Sequence, residues 1–107
     1  MDLGAFLRPD ADLPVMLIGE NQAGLMEARL MERRRRPVWL CPQPCPVGLR
    51  LVATCKLPGF KLEDDGSLMP SRPDSEAELN LMGQVKACRL FKNLYIVRLK
   101  LLGRIFP

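Results

Sequence analysis

Residues 79–101 read LNLMGQVKACRLFKNLYIVRLKL, and their spacing decides the fold class. From Leu79 to Leu90 one face carries Leu79, Leu81, Gly83, Val85 and Ala87, and the other carries Asn80, Met82, Gln84 and Lys86. Lys92 and Asn93 supply a turn. Beyond it Tyr95, Val97, Leu99 and Leu101 alternate with Leu94, Ile96, Arg98 and Lys100. Strand side chains point to opposite faces with a period of two, so the pattern predicts two paired strands with one buried face. A polar, charged second face matches an antiparallel sheet wetted on one side.

Upstream segments extend the same pattern. Residues 1–13 hold few apolar side chains, with Pro9 and two aspartates near one another, and are expected to form an extended N-terminal arm before a single domain over 14–107. Pro14–Glu20 (PVMLIGE) reads as a short strand and Asn21–Gly24 as a turn. Residues 25–36, LMEARLMERRRR, are good helix formers with acid early and arginines late, as a helix dipole prefers. They also alternate, Met26, Ala28 and Leu30 against Leu25, Glu27, Arg29 and Met31. A strand is expected here, because the flanking segments are strands and tertiary context overrides propensity.

Val38–Cys41 is another short strand, stopped by Pro42, Pro44 and Pro46. Gly48–Leu57 places Leu49, Leu51, Ala53 and Cys55 on one face. Residues 58–76, rich in proline, glycine and acid, form the longest loop, with room for a brief hairpin around Asp65-Gly66. The expected fold is all-β: a small antiparallel β-barrel of five to seven strands.

Composition narrows the function. The chain has 107 residues, near the commonest domain size, and 48% of them are apolar, as in globular proteins. Its apolar runs are far shorter than a membrane span, and the N-terminal residues carry acid where a secretion signal carries positive charge, so a cytoplasmic protein without membrane insertion is expected. Sixteen basic and twelve acidic residues give a net charge of +4, too mild and too scattered for tight nucleic-acid binding.

Chemistry has few candidates. There is no histidine, which removes the commonest acid–base group and the usual activator of a thiol nucleophile. Asp64 and Asp65 are explained by turn chemistry. Cys41 and Cys45 have a spacing that zinc tolerates, but Cys55 and Cys88 stand alone in sequence and make no second pair, so four free thiols and no metal are expected. No catalytic residue is assigned, and no cofactor is expected.

The sharpest local feature is ERRRRPVWL. Arg33, Arg34, Arg35 and Arg36 bring together guanidinium groups that grip phosphates and carboxylates in bidentate fashion, and Trp39 nearby is a candidate stacking platform. The competing reading is a solvated turn between two strands, with Trp39 filling the core.

In order, these parts resemble the PilZ family, small β-barrels best known as bacterial receptors for cyclic di-GMP. A strand leads to the basic turn Glu32–Pro37; then come VWLCPQPCPVG, GLRLVATCKLPG, the acidic loop, and the pair LNLMGQVKAC and NLYIVRLKLL, with a Gly-x-Val step like that of the family's closing strands. The family's nucleotide-binding members carry Arg-x-x-x-Arg and Asp/Asn-x-Ser-x-x-Gly. In register with the second motif stands ERRRRP, without its serine and glycine, and upstream only Arg8 meets the first. Arg29 and Arg33 have the arginine spacing, and Asp65, Ser67 and Pro70 nearly match the second motif, but out of strand order. The resemblance therefore implies a divergent member: a non-enzymatic regulatory module that recognises a protein partner in a cyclic di-GMP, type IV pilus or motility system. Cyclic di-GMP bound through Arg33–Arg36 is the alternative, and an oligonucleotide-binding or SH3-like barrel a third, disfavoured by the shortage of aromatic residues along any strand face.

Overall fold

The computed structural model describes residues 3–20 and 25–105; the turn expected at Asn21–Gly24 lies outside them. Eight strands form among the described residues: β1 (Asp12–Gly19), β2 (Met26–Arg33), β3 (Arg36–Cys41), β4 (Arg50–Pro58), β5 (Phe60–Leu62), β6 (Leu68–Pro70), β7 (Glu76–Phe91) and β8 (Leu94–Ile105). Six of them close an antiparallel barrel in the order β1-β2-β3-β8-β7-β4, and β5 and β6 make a separate hairpin. The all-β barrel expected from the alternation is the fold. None of the described residues forms a helix long and apolar enough to cross a membrane.

Period-two patterning fills the barrel. Val15 lies opposite Ala28 and Cys55, Cys55 opposite Leu79, Leu30 opposite Trp39, and Trp39 opposite Val97. All of these side chains are buried. Residues 26–33 are a strand because their alternate residues Ala28, Leu30 and Glu32 face the interior, where burial outweighs the local preference for helix.

Two irregularities move residues off their expected faces. In β7 the register with β8 slips between Val85 and Ala87, so that Cys88, not Ala87, pairs with the buried Val97. One extra residue, Lys86, exchanges the faces of everything beyond it. A second slip, between Met82 and Gly103 on one side and Gly83 and Leu101 on the other, pushes Leu102 outward.

Among the described residues, 3–11 do not form an extended arm. Leu3–Phe6 is a 3-10 turn, and Leu3 and Leu7 are buried in the core cluster. The scarce apolar residues of this segment are spent on closing the barrel: Leu3, Phe6 and Leu7 cover one end, and Phe6 packs edge-on against Phe60 at 5.6 Å. β1 also begins at Asp12, inside the expected arm. At the opposite end the proline-rich 42–48 loop crosses the barrel mouth and drops Cys45 into the core. Gly48 N donates to Val85 O, and Val85 N to Leu49 O, which fastens this loop to β7.

Candidate functional site

The arginine run forms the β2–β3 turn. Arg33 pairs with Arg36, and Arg34 and Arg35 are the two central residues, with φ of 52° and 64°. Positive φ at both positions is the signature of a type I′ turn, which matches strand twist but normally recruits Asn-Gly. Glu32 explains how two arginines hold it. Its side chain faces the barrel end with 8% exposure; one carboxylate oxygen accepts Arg35 N at 2.6 Å and the other accepts Asp10 N at 2.8 Å. Asp10 is itself left-handed, at φ 58°. The two backbone N–H donors hold the Glu32 carboxyl below the usual range. A single buried carboxylate thus ties together two strained turns.

All four arginine side chains are exposed. Arg33 reaches Asp10 at 3.6 Å and its own neighbour's carbonyl, Glu32 O, at 3.0 Å. Trp39 does not join them. It is 1% exposed on the inner face of β3, so it fills the core and offers no ring to a ligand. The motif-like residues out of strand order are not assembled by strand pairing either. Arg29 on β2 donates to Asp12 Oδ1 at 2.7 Å, while Asp65 and Ser67 belong to the β5–β6 hairpin. There Asp65 Oδ1 accepts Ser67 N at 2.9 Å and Ser67 Oγ at 2.7 Å, an Asx turn whose hydrogen bonds hold the Asp65 carboxyl below its usual range.

A different surface gathers charge without balancing it. Ten basic and twelve acidic residues precede Leu79; six basic and no acidic residues follow Glu78. Lys86, Arg89, Lys92, Arg98 and Lys100 are exposed on the long β7–β8 hairpin, and Arg104 donates to Gly66 O. β4 pairs with β7 only as far as Gln84, so the hairpin runs on past the β4 edge of the barrel. Its tip exposes large apolar side chains: Leu90 at 63%, Phe91 at 50% and Leu94 at 37%. Phe91 and Leu94 are cross-strand partners, and Lys92 Nζ lies 5.6 Å from the Phe91 ring centre. Alternation alone hides this surface; the acid-free composition after Glu78 is the signal that finds it.

Three of the four cysteines, separated in sequence, meet under the 42–48 loop. Cys45 N donates to Cys88 Sγ at 3.5 Å, Cys45 Sγ donates to Gln43 O at 4.0 Å, and the Cys41 thiol lies beside Cys45. That contact, reinforced by burial, pushes the Cys41 thiol upward, and it holds Cys45 below the usual thiol range. Cys55 lies on β4, where burial pushes its thiol up to about 11. Among the described residues no group of three or more Cys, Asp or Glu side chains is arranged to hold a metal ion.

No protein-family model matches the chain, nor does any curated protein or solved structure.

Proposed function

We propose that this chain is a non-enzymatic docking module that recognises an acidic protein partner through the outer face of its β7–β8 hairpin. The observation that carries this reading is the segregation of charge: five exposed cations and no acidic residue surround a tip that exposes Leu90, Phe91 and Leu94. Exposed aromatic and arginine side chains in one patch are the usual anchors of a protein interface, and a one-sign rim steers association and rejects basic surfaces. A protein fits better than single-stranded nucleic acid, because among the described residues the tip carries only Phe91 and the half-buried Tyr95 opposite Leu90, and successive bases need successive platforms. The resemblance to PilZ-like barrels suggests the setting, a cyclic di-GMP, type IV pilus or motility system in the bacterial cytoplasm.

A labelled peptide alternating glutamate and leucine is a suitable probe. Anisotropy is expected to show saturable binding that weakens with added salt. The pair Arg89→Glu and Lys92→Glu abolishes it, whereas Arg34→Ala with Arg35→Ala leaves it. Saturating heat with micromolar cyclic di-GMP, lost in the Arg34 and Arg35 variant, overturns this reading in favour of a nucleotide receptor.

A further inference from the structure

The thiol cluster lies outside the docking reading and has its own chemistry. Cys41 is fully buried and Cys45 is 3% exposed, while Cys88 is only half-buried, so Cys88 is the residue of the three that keeps surface for a small reagent to reach. Cys88 owes that position to the extra residue in β7, which turns it toward the barrel mouth beside Val97. Its sulfur stands 3.5 Å from Cys45 N. With an N–Cα bond of about 1.46 Å, that puts Cys88 Sγ within roughly 5 Å of the Cys45 Cα, a separation that a disulfide spans after a side-chain rotation.

We propose that Cys45 and Cys88 are a peroxide-responsive thiol pair that closes to a disulfide, stapling the proline-rich 42–48 loop to β7. The oxidant is a hydroperoxide, hydrogen peroxide being the simplest. In the first step the Cys88 thiolate attacks one peroxide oxygen; an S–O bond forms, the O–O bond breaks, and hydroxide leaves to be protonated to water. In the second step the Cys45 thiolate attacks the Cys88 sulfenic acid. The S–S bond forms, the S–O bond breaks, and the departing hydroxide takes a proton to give a second water. Two thiols lose two electrons and two protons, and one peroxide gains them. Cys41 takes no part in the bond: it is fully buried, and its contact with Cys45 together with burial pushes its thiol upward, so it stays protonated.

The test is peroxide treatment of the intact protein followed by mass spectrometry without reduction. Closure removes two hydrogens per chain. Trypsin, which spares the Arg36–Pro37 bond, leaves Cys41 and Cys45 together in residues 36–50 and isolates Cys88 in residues 87–89, so the proposed bond joins two peptides, and a Cys41–Cys45 bond joins none. Residues 36–50 linked to 87–89 are expected in the native protein and in Cys41→Ser. Cys45→Ser and Cys88→Ser lose the link, and Cys45→Ser accumulates sulfinic acid at Cys88. Cys55 stays reduced throughout. Mass loss that persists in Cys88→Ser overturns the assignment, as does native Cys88 that gains oxygen without ever linking. In the native chain, fragmentation of the linked peptides places the bond on Cys45 or on Cys41, so this arm of the test does not depend on any variant folding.

Discussion

The two β-turns that carry arginine or lysine at their centres differ in what holds them. In the β2–β3 turn Arg34 and Arg35 sit at positive φ, anchored by the Glu32 carboxylate to a second strained turn at Asp10. In the β7–β8 turn Lys92 alone is left-handed, and its neighbours Phe91 and Leu94 face solvent. The first is conspicuous in sequence and closely knit to the barrel end; the second is inconspicuous and presents apolar surface with cations around it. A dense run of charge marks where a chain must turn outward. An unbalanced charge beside exposed apolar side chains marks where it has something left to bind.

The largest expected effect tests the part of the arginine run that belongs to the core. Trp39→Ala should cost about 3–5 kcal/mol in denaturant unfolding, because it empties the largest fully buried side chain of the barrel. Leu3→Ala follows at about 2–4 kcal/mol, a loss that an extended arm would not show. A ligand-stacking tryptophan would instead lose binding and keep stability.

This contrast also shows what the sequence made legible. Alternation placed Leu79, Leu81, Val85 and Val97 correctly and resolved residues 26–33 as a strand against their helical propensity, because burial follows period two regardless of residue preference. It misplaced Ala87, since a bulge is a count mismatch between two strands and neither strand records it alone. It misread residues 3–11 because the need to cover an open barrel end is a property of the closed sheet. The Cys45–Cys88 contact was invisible for the same reason: it is made by a loop folding over that sheet. For Trp39, a position next to four arginines suggested a partner, while the parity of β3, with Trp39 and Cys41 both inward, settled its direction.

Glu32→Gln tests the strained turn. The folded protein holds the Glu32 carboxyl below its ordinary range through the backbone donors of Asp10 and Arg35. Its contribution is therefore fully present above the unfolded value of about 4.3 and disappears as pH falls through the lower folded value. At neutral pH the variant is expected to melt several degrees below the native protein, with the gap narrowing below about pH 4. A gap that does not change with pH would mean that the carboxylate charge plays no part in holding the turn.

Relieving the same turn should act in the opposite direction. Arg34→Asn with Arg35→Gly installs the residue pair that a type I′ turn prefers and removes the steric cost of left-handed arginine, raising stability by about 1 kcal/mol. The double variant keeps its acidic-peptide binding if the β7–β8 face is the docking surface.

The smallest effect on stability should come from the most consequential surface. Phe91 is 50% exposed and Leu94 37% exposed, and both pair across the hairpin outside the core, so Phe91→Ser with Leu94→Ser should stay within about 0.5–1 kcal/mol of the native protein. Their loss removes the apolar anchors while the cations remain. Two parts of the docking reading then separate: initial attraction, set by long-range charge, persists and still falls with salt, whereas dissociation speeds up by an order of magnitude or more as buried apolar contact is lost. Stopped-flow mixing with the acidic peptide resolves both rates. If dissociation is unchanged, the tip is exposed without being used, and the hairpin acts through its charge alone.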